Sequence, residues 1–323
     1  DEDALAKAID TVFAGYAKSL DPRTRAVIVV HRGKIVAERY ADGFDRDTPL
    51  HGWSMAKSVV DALVGIRVGQ GKLAVDEPVA LDLWNDDRKI TLDQMLRMTS
   101  GLAWSERYDR IDSDVTRMLF GVADASGFAA SREVADEPGS LWDYSSGTTN
   151  VICRVLRSTF ASLDDYHAFP HVSLFRRIGM NHAVIEPDAA GTFIGSSFVF
   201  ATARDWARFG LLYLQDGVFA GQRILPEGWV AASTEPTAES PRGQYGRHWW
   251  LNAGLEDDGA DRVYVDLPRD LFYASGHEGQ VVAVVPSREA VIVRLGCTKI
   301  SRSFRDGQFL KEVLDALPHA TAR

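Results

Sequence analysis

The chain has 323 residues, 46% of them hydrophobic, and carries a formal net charge of −9. A chain of that size can bury a substantial core as one large domain or as two lobes. Its acidity, without any Lys/Arg-rich run, makes it a poor nucleic-acid binder, and no segment approaches the roughly twenty apolar residues that span a bilayer.

From the N-terminus, a helical pattern over Ala4 to Leu20 precedes two strand-like runs, Ala26 to Val30 and Ile35 to Tyr40. The turn His31-Arg32-Gly33-Lys34 joins them as a β-hairpin. A second helix follows, with Met55, Val59, Ala62, Leu63 and Ile66 at helical spacing. Between about Val75 and Gly221 the patterns are mostly helical with Gly/Pro-punctuated loops, and Phe200 through Leu214 presents a face suited to a core. Strands return at about Tyr264, Leu271, Val281 and Val291, before a last helix from Phe304 to Leu317. This order predicts an α/β fold of the α+β type, in which an antiparallel sheet built from both ends of the chain lies beside helices. The expected division is residues 1–75 and 222–323 for a discontinuous sheet lobe and 76–221 for a mostly helical lobe, with the site in the cleft between them.

Chemistry is concentrated in three segments. In Ser54-Met55-Ala56-Lys57, a hydroxyl and an amine three residues apart project from one face of the start of a helix. A serine is a poor nucleophile near neutral pH, and a lysine takes its proton only where burial or a positive field keeps the amine neutral. The helix N-terminus supplies such a field, and it favours negative charge developing on the serine oxygen. Trp142-Asp143-Tyr144-Ser145-Ser146-Gly147 places a phenol and two serines at a loop-to-helix junction ahead of Val151, Ile152, Val155 and Leu156. Ser275-Gly276-His277-Glu278-Gly279-Gln280 joins two strand-like runs through glycines that admit close backbone approach.

In this order the three segments resemble the penicillin-recognising serine hydrolases, the superfamily of serine β-lactamases and D-alanyl-D-alanine peptidases. The nearest likeness is to the class C-like branch, with its family VIII carboxylesterases and 6-aminohexanoate-dimer hydrolases. Ile90 to Leu102 and Ala201 to Gly210 match landmarks of that branch, so the resemblance covers most of the chain. It implies a β-lactamase/transpeptidase-like fold, with Ser54 as acyl-accepting nucleophile, Lys57 as general base and Tyr144 as the motif tyrosine that shares protons with the lysine. It also implies a backbone oxyanion hole from Ser54 and Gln280, leaving the Gln280 side chain without a part, and substrate contacts from Ser146, His277 and Gly279. For Tyr144 to act as a base, its pKa must fall, with Lys57 as the source of positive charge. Neither a cofactor nor a metal is implied.

Departures narrow the substrate. The second motif ends in Ser146 where the family carries asparagine, and the third reads His277-Glu278-Gly279 where Lys-Thr-Gly is usual. A mostly neutral histidine offers no fixed charge for a carboxylate, which favours a small uncharged ester or amide over a β-lactam or a peptidoglycan peptide. Rival readings are β-lactamase or D-aminopeptidase-type activity, a non-catalytic sensor of the same fold, and an α/β-hydrolase elbow at Gly52-Trp53-Ser54-Met55-Ala56 served by His277. The elbow needs a strand directly before Ser54, and Pro49-Leu50-His51-Gly52 reads as a poor one.

Other features read as bland. His167 and His171 are expected as structural or surface histidines, Glu256-Asp257-Asp258 as a solvated loop, and Cys153 and Cys297 as inert buried thiols. Trp104, Tyr108, Trp249 and Trp250 are loop aromatics whose part in a pocket the sequence does not place. Because residue 1 is aspartate, the chain reads as a processed or trimmed product, which leaves the compartment open. The oligomeric state is open as well.

Overall fold

The computed structural model describes residues 1–16, 21–84, 88–299 and 303–318. Helix α1 (Glu2–Ala14) starts at Asp1, whose side chain accepts the Ala4 N–H at 3.0 Å, and buries a stripe of Leu5, Ala8, Ile9 and Val12. It stops at Ala14, six residues short of the expected end, and residues 17–20 lie outside the described residues. The hairpin follows as β1 (Thr24–His31) and β2 (Lys34–Tyr40). A two-residue strand β3 (Leu50–His51) then leads through a 3-10 turn at Trp53–Met55 into α2 (Ala56–Gly69).

The middle of the chain holds α3 (Leu92–Leu96), α4 (Asp114–Phe120), α5 (Ala125–Ala130), α6 (Ser146–Ser158) and α7 (Leu163–Pro170). Next come β4 (Val184–Ile185), β5 (Val199–Ala201), α8 (Ala203–Leu214), the small ribbon β6 (Val218–Phe219) and β7 (Gln222–Arg223), and α9 (Trp229–Ser233). The chain closes with β8 (Trp250–Leu251), β9 (Phe272–Gly276), β10 (Gln280–Val285), β11 (Ala290–Gly296) and α10 (Asp306–Ala316). Starts are marked by local chemistry. Thr91 with Gln94 and Thr202 with Asp205 form capping boxes at α3 and α8, each cap of this kind contributing about 1 kcal/mol.

Six strands form one antiparallel sheet in the order β2-β1-β11-β10-β9-β8, so both ends of the chain meet at the central β1–β11 pair. The sheet is covered on both faces, which explains why β1, β10 and β11 are continuous apolar runs rather than alternating ones. Val27, Val29 and Ile292 meet Leu5, Ile9, Phe309 and Val313 of α1 and α10 on one face. Ile28, Val282 and Val293 meet Trp206, Phe209 and the helices around α2 on the other. Helix α8 therefore packs on the sheet although it lies inside the 76–221 segment.

One expected strand is absent. Tyr264 lies in a loop, donating its hydroxyl to Asp306 at 2.8 Å and its N–H to the Asn252 side chain at 2.7 Å. The outer strand is instead Trp250–Leu251, too short to show a period in sequence.

Candidate active site

Ser54 sits on the turn between β3 and α2. Pairing of His51 with Phe200, and of the Gly52 N–H with the Val199 carbonyl at 2.8 Å, ends the strand abruptly. Trp53 then takes a left-handed φ of 50°, a conformation that a bulky residue holds only under constraint from its surroundings. Two glycines let backbones close around this turn. A Cβ on Gly52 would lie 2.4 Å from the Trp206 ring, and one on Gly276 would lie 2.2 Å from the Gly52 carbonyl oxygen. The end of β9 thus meets the Ser54 turn backbone to backbone. The α-helix begins at Ala56 rather than at Ser54, and a short strand does precede the serine.

Lys57 is 1% exposed, and its ammonium position is fixed by three oxygens. Nζ lies 3.1 Å from Ser54 Oγ, 3.0 Å from Ser146 Oγ and 3.0 Å from the Ser196 carbonyl. Burial pulls the amine down to about 8, opposed by the nearby charge of Glu106. The chain of contacts continues. Ser146 donates its hydroxyl to Glu106 Oε1 at 2.5 Å and its backbone N–H to Oε2 at 3.0 Å, and Trp104 Nε1 donates to the same oxygen at 2.5 Å. Ser54, Lys57, Ser146 and Glu106 form one continuous hydrogen-bonded path along which a proton can move.

Tyr144 joins from the loop ahead of α6, where Ser145 caps the helix by accepting the Thr148 N–H at 3.0 Å. Its hydroxyl interacts with the Ser54 side chain, and Lys57 Nζ stands 4.9 Å from the ring centroid. The expected lowering of this phenol is reversed. Burial first, and the charge of Glu106 next, hold it well above the ordinary tyrosine value, so it stays protonated and is suited to donate. Trp250 stacks on it at 5.4 Å, while Trp249 is fully buried against Phe209 and belongs to the core.

Two residues to which the sequence reading gave no role stand in the site. Glu106 is one. The other is Tyr108, whose ring stacks on His277 at 4.8 Å and meets Trp53 edge-on at 6.1 Å. Its buried hydroxyl faces the side chains of Ser54, Ser146 and Ser197 without completing a hydrogen bond among the described residues. The sequence signal was slight: a tryptophan, an acid and a tyrosine alternate at Trp104, Glu106 and Tyr108 in a loop without periodicity.

The third segment is a turn held from behind by buried side chains. Gln280 lies on β10, one strand behind β9, and is 1% exposed. Its carboxamide donates to the carbonyls of His277 at 3.0 Å and Gly296 at 2.8 Å, and accepts the Gly296 N–H at 2.9 Å. The side chain braces the turn. Arg294, fully buried, grips the same turn through the carbonyls of Gly279 at 2.8 Å and Glu278 at 3.2 Å. What faces the Ser54 turn is Gly276 and His277, whose ring meets Trp53 at 5.2 Å. Burial lowers the His277 pKa, and Glu278 engages Lys299.

Asp61, one helical turn beyond Lys57 and fully buried, ties α2 to α8 and α9. It accepts from Tyr213 at 2.7 Å, Ser233 at 2.9 Å and Trp229 at 3.2 Å, and burial pushes it up to about 6. Of the residues read as bland, His167 bonds the Gly191 carbonyl at 2.9 Å, whereas Cys153 lies near enough to Lys57 for their charges to interact, with burial pushing its thiol up to about 12. Cys297 is half-buried beside Glu278 rather than fully buried. The elbow reading finds no support in contacts. The basic group hydrogen-bonded to Ser54 is Lys57, whereas His277 is engaged with aromatic rings.

A family model described as Beta-lactamase matches residues 9–307. A 6-aminohexanoate-dimer hydrolase from Paenarthrobacter ureafaciens is 25% identical over 297 residues, covering 84% of this chain and 72% of that protein. A Bacillus anthracis structure provisionally assigned as a 6-aminohexanoate-dimer hydrolase superposes with a TM-score of 0.76 at 21% identity, over 92% of this chain and 81% of that one. A family VIII carboxylesterase superposes with a TM-score of 0.69 at 14% identity, over 96% of both chains. With a family model spanning nearly the whole length and the same fold recurring in solved hydrolases, the chain belongs to the beta-lactamase family and is a serine hydrolase of β-lactamase-like fold.

Proposed function

We propose that the protein hydrolyses a small uncharged ester or amide through an acyl-Ser54 intermediate. The observation that carries this reading is the pairing of the buried Lys57 Nζ with Ser54 Oγ at 3.1 Å, with the amine lowered to about 8. Neutral Lys57 takes the Ser54 proton as the oxygen attacks the carbonyl carbon. Ser146 and Glu106 stabilise the resulting ammonium; protonated Tyr144 donates to the departing oxygen or nitrogen and recovers its proton from that ammonium, which returns Lys57 to the neutral amine. Water then attacks the acyl-serine, with Lys57 in position to take up a proton again. Backbone N–H groups hold the tetrahedral oxyanion, one from Ser54. We assign the second to His277 rather than Gln280, because the Gly276–His277 segment borders the Ser54 turn while Gln280 stands one strand behind. Ser146 and the edge formed by His277 and Gly279 border the substrate. The cleft lies between a sheet lobe and a mostly helical lobe, divided as the sequence reading has it except that α8 is counted with the sheet.

An uncharged substrate fits the electrostatics. Where a carboxylate-binding lysine would stand, His277 has a lowered pKa, and the neighbouring Lys299 is engaged by Glu278. Intact-protein mass spectrometry after exposure to a fluorophosphonate, p-nitrophenyl acetate and a penicillin tests the reading. One phosphonyl adduct per chain on Ser54, lost in Ser54→Ala, with rapid acetyl turnover and slow penicillin reaction, is the expected result. A fluorophosphonate adduct elsewhere, or none together with no ester turnover, overturns it.

A further inference from the structure

A row of rings leads away from Ser54 to the protein surface. Trp53, the residue before the nucleophile, stacks on His51 at 4.1 Å. His51 in turn stacks on Phe200 at 4.6 Å and meets Phe198 edge-on at 5.6 Å, and Phe198 meets Phe120 at 6.2 Å. Phe120, the last residue of α4, is 67% exposed. The row thus runs from partly buried rings beside the nucleophile to an apolar ring open to solvent.

The row carries no charge of its own. His51 is held by the Ser197 carbonyl at 2.8 Å, and burial lowers its pKa as it does that of His277. Among the described residues no lysine or arginine stands over any of these rings, although ten such cation–ring contacts occur elsewhere. The wall therefore suits methylene or aryl groups and repels carboxylates by desolvation.

The two sides of Ser54 also differ in chemistry. Tyr144, the donor to the leaving group, belongs to a separate aromatic cluster with Trp142, Tyr245 and Trp250. A leaving group beside Tyr144 directs the acyl group toward the Trp53 side. We infer that the Trp53–His51–Phe198–Phe120 row is the acyl subsite, taking an extended apolar or aryl-terminated acyl chain. This inference deepens the acyl-Ser54 reading and rests on it.

The test is kcat/KM for p-nitrophenyl esters from acetate to laurate in the wild type, Phe120→Ser and Phe198→Ala, with Ser54→Ala as the control for enzymatic turnover. Each methylene laid on the row should raise kcat/KM by up to about threefold to fourfold, the value of one buried CH₂. Phe120→Ser, altering an exposed side chain, should leave acetate unchanged and lower the long-chain esters about tenfold. Phe198→Ala should cut the gain at shorter chains. A profile that peaks at acetate, or a Phe120→Ser variant whose loss is equal at every chain length, overturns the inference while leaving Ser54 chemistry intact. Wild-type turnover that persists in Ser54→Ala instead overturns the reading beneath it.

Discussion

Replacing Lys57 with methionine is expected to lower kcat/KM for ester hydrolysis by about a thousandfold, within the range for loss of a general base. Methionine fills the buried volume, so the expected loss is chemical rather than structural, and an unchanged circular dichroism spectrum checks this. The amine is 3.1 Å from Ser54 Oγ and is the basic side chain bonded to it, so no neighbour takes over. The pH dependence follows from the direction of the shift. Lys57 is a base with its pKa lowered to about 8, so it is protonated and inactive as an acceptor below that value. Activity rises with pH and levels off above about 8. A Lys57→Met variant retaining a tenth or more of wild-type activity would remove the lysine from the mechanism.

Tyr144→Phe is expected to discriminate by leaving group. Burial and Glu106 keep the phenol protonated throughout the working range, which makes it an acid and not a base. An anilide nitrogen must be protonated to depart, whereas p-nitrophenolate leaves unaided. Anilide hydrolysis should therefore fall about a thousandfold, p-nitrophenyl acetate hydrolysis about tenfold or less, and the pH midpoint near 8 should stay in place. Equal losses on both substrates would assign Tyr144 to packing against Trp250 and Tyr245.

Legibility in sequence tracked how local the cause was. Ser54 and Lys57 lie within one turn of each other, so helical periodicity alone, without any tertiary contact, places them together. Helix α8 was visible for the same reason, its apolar face and Thr202–Asp205 cap being contained in a dozen residues. Glu106 and Tyr108 were not, because they reach the site from an irregular loop whose position depends on packing against Trp53 and α6. The bracing role of the Gln280 side chain was not visible, because its partner Gly296 lies sixteen residues away across a strand pair. The direction of the Tyr144 pKa was not legible either, since it is set by burial first and by the charge of Glu106 next, both of which come from tertiary packing. Strand β8 escaped because two residues display no period, whereas Tyr264 sat in an apolar run that folds as a loop around Asn252.

The most direct measurement is the rate of Ser54 acylation by p-nitrophenyl acetate, followed by stopped flow from pH 5 to pH 10 in the wild type and Glu106→Gln. A buried lysine acting as base predicts a single rising limb with a midpoint near 8. Removing Glu106 withdraws the negative charge that stabilises the ammonium, so the limb should move to lower pH. A pH-independent rate, or a midpoint at or below 6.5 in the wild type that Glu106→Gln leaves unmoved, would point to a histidine or to no base at all and contradict the account.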